Sequence, residues 1–219
     1  MTSMMRRSFI VGLLTVALLV SLTPAAAHAA AAPTAKQLKR ALITKWKGKK
    51  ADLVRSGTGR SVVAGQDDWA LSLVPARCRT AATAGLLFTG HLRGRPAAMS
   101  MLSVGGSFYG QVLVSVPPST RLPAQTVPPR CGRFTVKYDG RRITVRIRKV
   151  TDLPRIPGAK VSALKMTFSP SPWKHITRPE TMLTVVRKGS IVMETYSDRN
   201  GNVEQVANAF TEAAWRRIS

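Results

Sequence analysis

The chain is poor in acidic residues. Ten Asp and Glu stand against 34 Lys and Arg among 219 residues, so the formal net charge is +24. Such a balance does not decide a fold, but it predicts attraction to polyanions that weakens as salt is added. Most of the ten acids are needed as counter-ions, and the adjacent pair Asp67 and Asp68 would point apart on a strand. The sequence therefore does not indicate a glycosidase-type pair of carboxylates.

The signatures of several enzyme classes are also absent from the sequence. It contains no G-x-x-x-x-G-K-[ST] phosphate-binding loop and no G-x-S-x-G nucleophile elbow. Only three histidines occur, and we interpret His175, next to Lys174, as an exposed loop residue. The segment "DRNGNVE" at 198–204 alternates oxygen ligands as a calcium loop does, but it lacks the central glycine and the distal glutamate. We therefore predict no catalytic centre, no cofactor and no metal site.

Cysteine is scarce too, since the chain has two, Cys78 and Cys131. Without a C-x-x-C pair and with few histidines, a metal-binding or reactive pair would lack partners. An even number of cysteines in an oxidising compartment favours one structural disulfide. Closing a loop of this length would stabilise the fold by roughly 4 kcal/mol in the chain-entropy model.

The first thirty residues have the pattern of a secretory leader. Arg6 and Arg7 precede an apolar run from Phe9 to Leu22, and Ala27-His28-Ala29 fits the small-residue cleavage rule. An uncleaved membrane anchor is the alternative, but about 14 apolar residues are too few to span a bilayer comfortably. The motif "RRSF" matches a twin-arginine signal only in part, and no cysteine lies at the cleavage site to carry a lipid.

We therefore predict that residues 1–29 are a signal peptide and that residues 30–219 are one domain, secreted beyond the cytoplasm and soluble after cleavage. That domain has 190 residues, which is enough for a real core. It carries 32 basic and ten acidic residues, a net charge of +22. In such a compartment the nearest polyanions are envelope polymers and anionic lipid headgroups.

A helix is predicted at each end of this domain. The capping-box pattern "TAKQ", which begins at Thr34, is followed by apolar residues at helical spacing and then by a glycine that suits a C-terminal cap. These features predict a helix over about 34–47. At the other end, we expect Asn202 to cap a helix that begins at Val203 and carries an apolar stripe.

Strands joined mainly by hairpins are predicted between these helices. The expected strands are Trp69–Pro75, 97–104, 109–116, the two arms of a 133–149 hairpin, Val161–Phe168 and the two arms of a hairpin around 187–190, and a small helix is expected over 79–88. The segment 117–130 holds five prolines and cannot join a regular ladder. A run of consecutive strands with helices only before and after it predicts an α+β fold with a mainly antiparallel twisted sheet of about seven strands. Both terminal helices are expected to pack on one face of that sheet.

The segment "KYDGRRITVRIRK", residues 137–149, predicts a hairpin with one cationic face. Asp139-Gly140 is a signal for a two-residue type I′ turn, and this turn sets the register. One face of the hairpin is then apolar. The other face carries Arg133, Lys137, Arg142, Arg146 and Arg148. Opposed like charges cost about a few tenths of a kcal/mol per pair, whereas burial of the apolar face contributes roughly 1.5–3 kcal/mol per large side chain. We therefore expect the hairpin to form with its cations outward.

Further cations lie in "KWKGKK" near the N-terminus. They are Lys45, Lys47, Lys49 and Lys50. Trp46, Trp173 and Trp215 each neighbour Lys or Arg, which suits a lipid-headgroup zone and would also suit stacking on nucleic-acid bases. The same pattern is typical of tryptophans at the edge of a core among solvated charges, and the sequence leaves these interpretations open.

The order of these features resembles a known family. A cysteine precedes a small-residue segment in "PARCRTAATAG", a strand pair and a proline-rich connection lead to "PPRCGRFTV", and a hairpin and the helix "NVEQVANAFTEAAWRRI" follow. From Trp69 to Ile218 this is similar to the small secreted or lipid-anchored domains of actinobacterial envelopes, including the extracellular sensor domain of the PknH receptor kinase. The resemblance implies an antiparallel sheet with a ligand-binding cleft, binding rather than catalysis, and a structural role for Cys78 and Cys131. The chain departs from it in lacking a second cysteine pair, a kinase region and a lipid-attachment cysteine.

Together these patterns predict a non-enzymatic, sensor-like exported domain that binds an anionic envelope component, either a polymer or a membrane surface. The expected contacts are Arg133, Lys137, Arg142, Arg146 and Arg148, with Lys45, Lys47, Lys49 and Lys50 in support. An extracellular hydrolase acting on envelope material and an extracellular nucleic-acid binder are the alternatives. Nucleic acid is the less natural partner, because no nucleic-acid motif is visible and the chain is predicted to be exported.

Overall fold

A computed structural model describes residues 32–64, 74–80, 85–87, 90–172 and 179–218 of the chain. The helices in these ranges are α1 (Ala35–Arg40), α2 (Gly59–Val62) and α3 (Val203–Trp215), with one 3-10 turn over Ala76–Cys78. The strands are β1 (Lys45–Trp46), β2 (Lys49–Lys50), β3 (Leu53–Thr58), β4 (Pro96–Val104), β5 (Ser107–Ser115), β6 (Arg133–Tyr138), β7 (Arg141–Lys149), β8 (Lys160–Ser169), β9 (Pro179–Lys188) and β10 (Ile191–Asn200). No helix in this part of the chain is long and apolar enough to cross a membrane.

Eight of these strands form one sheet in the order β3-β4-β5-β10-β9-β8-β7-β6, and β1 and β2 form a separate pair. Each pair of neighbours in the large sheet is antiparallel. Most neighbours in space are also consecutive in the sequence, and the pairing of β5 with β10 joins the two halves. The α+β class with a mainly antiparallel sheet is confirmed.

Tight turns with left-handed backbone set the register of the hairpins. Asp139 and Gly140 have φ of 48° and 73°, as a type I′ turn requires. The predicted register of the β6–β7 hairpin is confirmed along its whole length, as far as the pairing of Arg133 with Arg146. The predicted turn at Gly105-Gly106 likewise has positive φ at both glycines, 57° and 75°.

One face of the sheet carries both α1 and α3. Leu38 of α1 and Phe210 of α3 belong to the same buried cluster, together with Leu113 of β5 and Met193 of β10. Burying such large side chains is the main stabilising term for short helices like these, since isolated helices of this length are marginal in water. The predicted placement of the terminal helices on one face is therefore confirmed.

The opposite face is covered by connecting segments and by the short helix α2. Val62 of α2 packs there against a cluster that includes Val114 and Val192. Toward the β6–β7 end, the bonded pair Cys78 and Cys131 lies in another cluster with the apolar side chains of that hairpin. The predicted disulfide is confirmed, and it ties the 3-10 turn at Cys78 to the end of the proline-rich segment, just before β6.

The first helix is shorter than the sequence predicts. Its capping box at Thr34 is present, but α1 ends at Arg40 and residues 45–50 form the β1–β2 hairpin. Lys47 and Gly48 have φ of 45° and 82°, which is a hairpin turn and not helical backbone. The predicted helix over 34–47 is therefore wrong in its second half, where the lysine-glycine pair reverses the chain.

Trp46 shows why the chain leaves the helix. Its ring packs edge-on against the rings of Phe210 and Tyr109, with centroids 5.4 and 6.3 Å away. Aromatic contacts of this kind add about 0.5–1.5 kcal/mol to the burial of the ring area. Of the interpretations left open for this tryptophan, its packing matches the core-edge one.

Strand β3 is not indicated by the sequence. Its residues, "LVRSGT", do not alternate between apolar and polar, and β3 lies at the edge of the sheet, where it pairs with β4 alone. Two other predicted elements, the strand Trp69–Pro75 and the helix over 79–88, fall largely outside the described residues. The described parts of both are neither strand nor α-helix. The predicted signal peptide and His175 also lie outside them.

Candidate anion-binding site

The cationic face of the β6–β7 hairpin lies on the same side of the sheet as α1 and α3. Arg146 of β7 is paired with Thr167 of β8, and Arg148 with Lys165. Residues directly opposite each other on neighbouring strands share a face, and Lys165 contacts Glu204 of α3. The cations of the β6–β7 hairpin therefore lie on the face that carries α1 and α3, next to the N-terminal end of α3.

Four side chains form a row across this end of the sheet. Arg133 on β6 is opposite Arg146 on β7, Arg146 is opposite Thr167 on β8, and Thr167 is opposite Glu180 on β9. We call these four residues the cross-strand row. With strands about 4.8 Å apart, the row spans roughly 14 Å.

The cross-strand row lines a cleft of about 390 Å³. Hydroxyl groups line the cleft as well, since Thr144 and Ser169 contribute to its wall. The volume lies within the range of about 300–1,000 Å³ that is common for small-ligand sites. The cleft thus combines two guanidinium groups, several hydroxyls and one carboxylate.

The carboxylate of the cleft belongs to an ion-pair network under the start of α3. The Lys165 ammonium lies 2.8 Å from Glu180 Oε2 and 3.1 Å from Glu204 Oε1, and Arg148 also pairs with Glu204. Glu180 Oε2 accepts a further hydrogen bond from the Val203 N–H at 3.1 Å. Two cations and two anions make this network neutral as a whole. Arg148, one of the predicted contacts, is therefore already paired within the protein.

The other four predicted contacts on the hairpin have no such ion pair among the described residues. None of the ion pairs between described residues involves Arg133, Lys137, Arg142 or Arg146. All four side chains are exposed. Arg133 and Arg146 line the cleft, whereas Lys137 and Arg142 are opposite each other closer to the turn. The positive charge of Arg133 and Arg146 is thus open to an external anion.

The four lysines of the β1–β2 hairpin lie elsewhere. That hairpin contacts β4, and four strands separate β4 from β7 in the sheet. At about 4.8 Å per strand spacing, the separation is roughly 24 Å. The structure therefore does not bring Lys45, Lys47, Lys49 and Lys50 together with the cationic face of the β6–β7 hairpin, because the sheet order places the two hairpins near opposite edges.

Two carboxyl groups on the opposite face have raised pKa values. Burial raises the pKa of Glu194 to about 7 and that of Asp198 to about 6, although each accepts a backbone N–H, from Leu86 and from Phe108 respectively, that lowers it. Both residues lie on β10, four positions and so about 13 Å apart, which is wider than the roughly 5–9.5 Å of glycosidase pairs. Their geometry suits the anchoring of neighbouring backbone better than joint acid–base catalysis.

The described residues hold no group of three or more His, Cys, Asp or Glu that could bind a metal ion. Sequence reasoning missed Thr167 and Glu180 as members of the cleft. Thr167 lies in a predicted strand and Glu180 lies just before one, and the pairing of β8 with β9 decides that they continue the row of arginines. The strand alternation alone could have placed Thr167 on the face of Lys165.

Comparison with protein-family models, curated proteins and solved structures finds no match for this chain. The resemblance to actinobacterial envelope domains therefore stays a prediction from the sequence.

Proposed function

We propose that this protein is a non-enzymatic, exported domain that binds an anionic component of the cell envelope at the cleft of the β6–β7 end. The observation that carries the proposal is the pair Arg133 and Arg146, which are directly opposite each other, line one cleft and have no acidic partner among the described residues. Opposed like charges on a sheet are unfavourable. An anion bound between them would convert this repulsion into two charge-assisted contacts.

Two further properties of the chain support this proposal. The excess of 34 basic over ten acidic residues would steer a polyanion toward the protein from a distance. The lysines of the β1–β2 hairpin contribute to that steering but lie outside the cleft. We therefore restrict the contacts in the cleft to Arg133 and Arg146, the two predicted residues that line it.

Removal of the two arginines tests the proposal. The double variant Arg133→Gln/Arg146→Gln should weaken binding to anionic cell-wall polymer or anionic vesicles about 10- to 100-fold, since each of the two contacts, being exposed to solvent, contributes roughly 0.5–1.5 kcal/mol net. The control Lys45→Gln/Lys49→Gln removes the same charge at the far hairpin and should weaken binding by less than about threefold. The measurement is a pull-down or vesicle co-sedimentation at several salt concentrations.

Equal losses in the two double variants would show that binding follows net charge alone and would contradict the cleft as the site. DNA that competes as well as envelope anions at physiological salt would favour the nucleic-acid alternative instead.

A further inference from the structure

We infer that the ligand of the cleft is a polyol phosphate, that is, a phosphate ester with hydroxyl groups close to the phosphate. This inference rests on the proposed function and specifies its chemistry. It follows from the groups along the cross-strand row. Among the described residues, Arg133 and Arg146 have no acidic partner, and one oxygen of the Glu180 carboxylate accepts none of the hydrogen bonds. Thr167 adds a hydroxyl group between them.

The arginine end of the row selects phosphate over carboxylate. Arg133 and Arg146 lie on adjacent strands, so their guanidinium groups reach the cleft side by side. Each guanidinium is a planar fork that matches two oxygens. One fork engages both oxygens of a carboxylate at once and leaves the second arginine with a poorer geometry, whereas a tetrahedral phosphate presents its oxygens in different directions and can be shared between two forks. Thr167, the next residue in the row, adds a hydroxyl donor to the same group of oxygens.

The carboxylate end of the row selects a hydroxyl donor. Glu180 Oε2 accepts from both Lys165 and the Val203 N–H, whereas none of the hydrogen bonds within the described ranges uses Oε1. A lone carboxylate oxygen in a cleft wall would accept a hydrogen bond from a ligand hydroxyl, and such bonds to charged groups are among the stronger ones.

Charge balance disfavours a ligand ammonium at this position. Glu180, Glu204, Lys165 and Arg148 form a neutral network, so an added ammonium would find no net negative charge. Arg199, the partner of Glu180 on β10, is exposed and adds a further positive charge nearby. The cleft therefore fits a hydroxylated headgroup better than a choline or ethanolamine one, and its volume of about 390 Å³ holds a phosphate with a short polyol.

Titration of the isotope-labelled protein with two small esters, followed by NMR, tests this inference. Glycerol phosphate and propyl phosphate have the same charge and differ in their hydroxyls. We expect glycerol phosphate to bind about tenfold more tightly, the effect of one hydrogen bond to a charged group. The preference should persist in Lys137→Gln/Arg142→Gln, which removes two charges of the same hairpin outside the cleft. Binding of both esters should be lost in Arg133→Gln/Arg146→Gln.

The outcomes separate the inference from the function on which it rests. Equal affinity for the two esters, or no shift of cleft resonances with either, overturns the polyol-phosphate inference. The envelope-binding function still stands in that case if Arg133→Gln/Arg146→Gln loses binding to anionic polymer. If no anion binds at all, both are overturned. Because the comparison of esters uses the unaltered protein, a variant that fails to fold does not obscure the result.

The same phosphate chemistry occurs in a lipid headgroup and in a soluble polymer, and two further arms distinguish these sources. Vesicles that contain phosphatidylglycerol are compared with vesicles of equal charge that contain phosphatidylserine, and poly(glycerol phosphate) is compared with polyglutamate. Tighter binding to the phosphatidylglycerol vesicles supports the inference and identifies a lipid headgroup as the source. Tighter binding to poly(glycerol phosphate) supports it and identifies a soluble polymer. Equal binding in both comparisons contradicts it.

Discussion

Glu180 joins two parts of the fold, because its Oε2 accepts from both the Lys165 ammonium of β8 and the Val203 N–H at the start of α3. The sequence predicts that Asn202 caps this helix. Asn202 instead has left-handed backbone, with φ of 55°, and its side chain makes no cap hydrogen bond. The cap is therefore supplied by a neighbouring strand, and the prediction for Asn202 is wrong in that respect.

The first prediction concerns this cap. Glu180→Ala should lower the free energy of unfolding by about 2 kcal/mol, since the Val203 N–H loses its acceptor and the buried Lys165 loses one of its two acidic partners among the described residues. The matched change Asn202→Gly should alter stability by less than about 0.5 kcal/mol, because glycine adopts the same positive φ and no cap bond is lost. Urea unfolding of both variants measures this difference. If Asn202→Gly lost more stability than Glu180→Ala, the helix cap would have to be assigned to Asn202 and not to Glu180.

The second prediction concerns the buried carboxyl group of Glu194. Burial raises its pKa from an ordinary 4.5 to about 7, so between these pH values the folded chain keeps a proton that the unfolded chain has lost. The free energy of unfolding should therefore decrease as pH rises from 4.5 to 7, by about 3 kcal/mol for this group. This contribution should level off only above pH 7, once the carboxyl group is ionised in the folded state as well.

Glu194→Gln isolates this contribution, because glutamine keeps an acceptor for the Leu86 N–H but has no proton to lose in this range. The variant should gain stability relative to the unaltered protein as pH rises from 4.5 to 7. Asp198, whose pKa is about 6, is present in both proteins, so its effect cancels in the difference. Urea unfolding at a series of pH values gives the two curves, and parallel curves would contradict the prediction.

The third prediction concerns close packing at the start of α2. A Cβ atom added at Gly59 would lie 2.5 Å from both Leu87 Cδ2 and the Leu92 carbonyl oxygen. Because the backbone oxygen cannot simply rotate away, Gly59→Ala should destabilise the fold by about 1–3 kcal/mol.

Gly94→Ala is the control for this substitution. An added Cβ there meets no heavy atom within 4 Å, so stability should stay the same or rise by less than about 1 kcal/mol. Thermal unfolding compares the two variants. If both variants had the same melting temperature, the backbone around Leu92 would be able to shift and accommodate the added Cβ atom, and the prediction would be wrong.

The hairpins were predictable from the sequence because their signals are local. Asp139-Gly140 selects a type I′ turn, that turn sets the register, and the alternation along the strands then decides which side chains share a face. The cationic face, with Arg133 opposite Arg146, follows from these short-range rules. The disulfide was predictable for a different reason, since the chain has only two cysteines.

The boundaries of the first helix were not predictable in the same way. Leu38, Leu42 and Trp46 have helical spacing, yet Trp46 leaves the helix to pack against Phe210, which lies far away in the sequence. The cap of α3 likewise depends on a strand residue, Glu180. Long-range burial and capping outweigh a local preference of a few tenths of a kcal/mol per residue.

The sequence by itself therefore determined the basic charge, the α+β class, the register of the β6–β7 hairpin and the pairing of the cysteines, because each depends on composition or on neighbouring residues. Only the tertiary structure decided which charges meet. Strand order separates the lysines of the β1–β2 hairpin from the arginines of β6 and β7, and long-range ion pairs neutralise Arg148 while none among the described residues reaches Arg133 or Arg146. Contacts between distant strands depend on how the whole sheet is assembled, and no short stretch of sequence encodes that assembly.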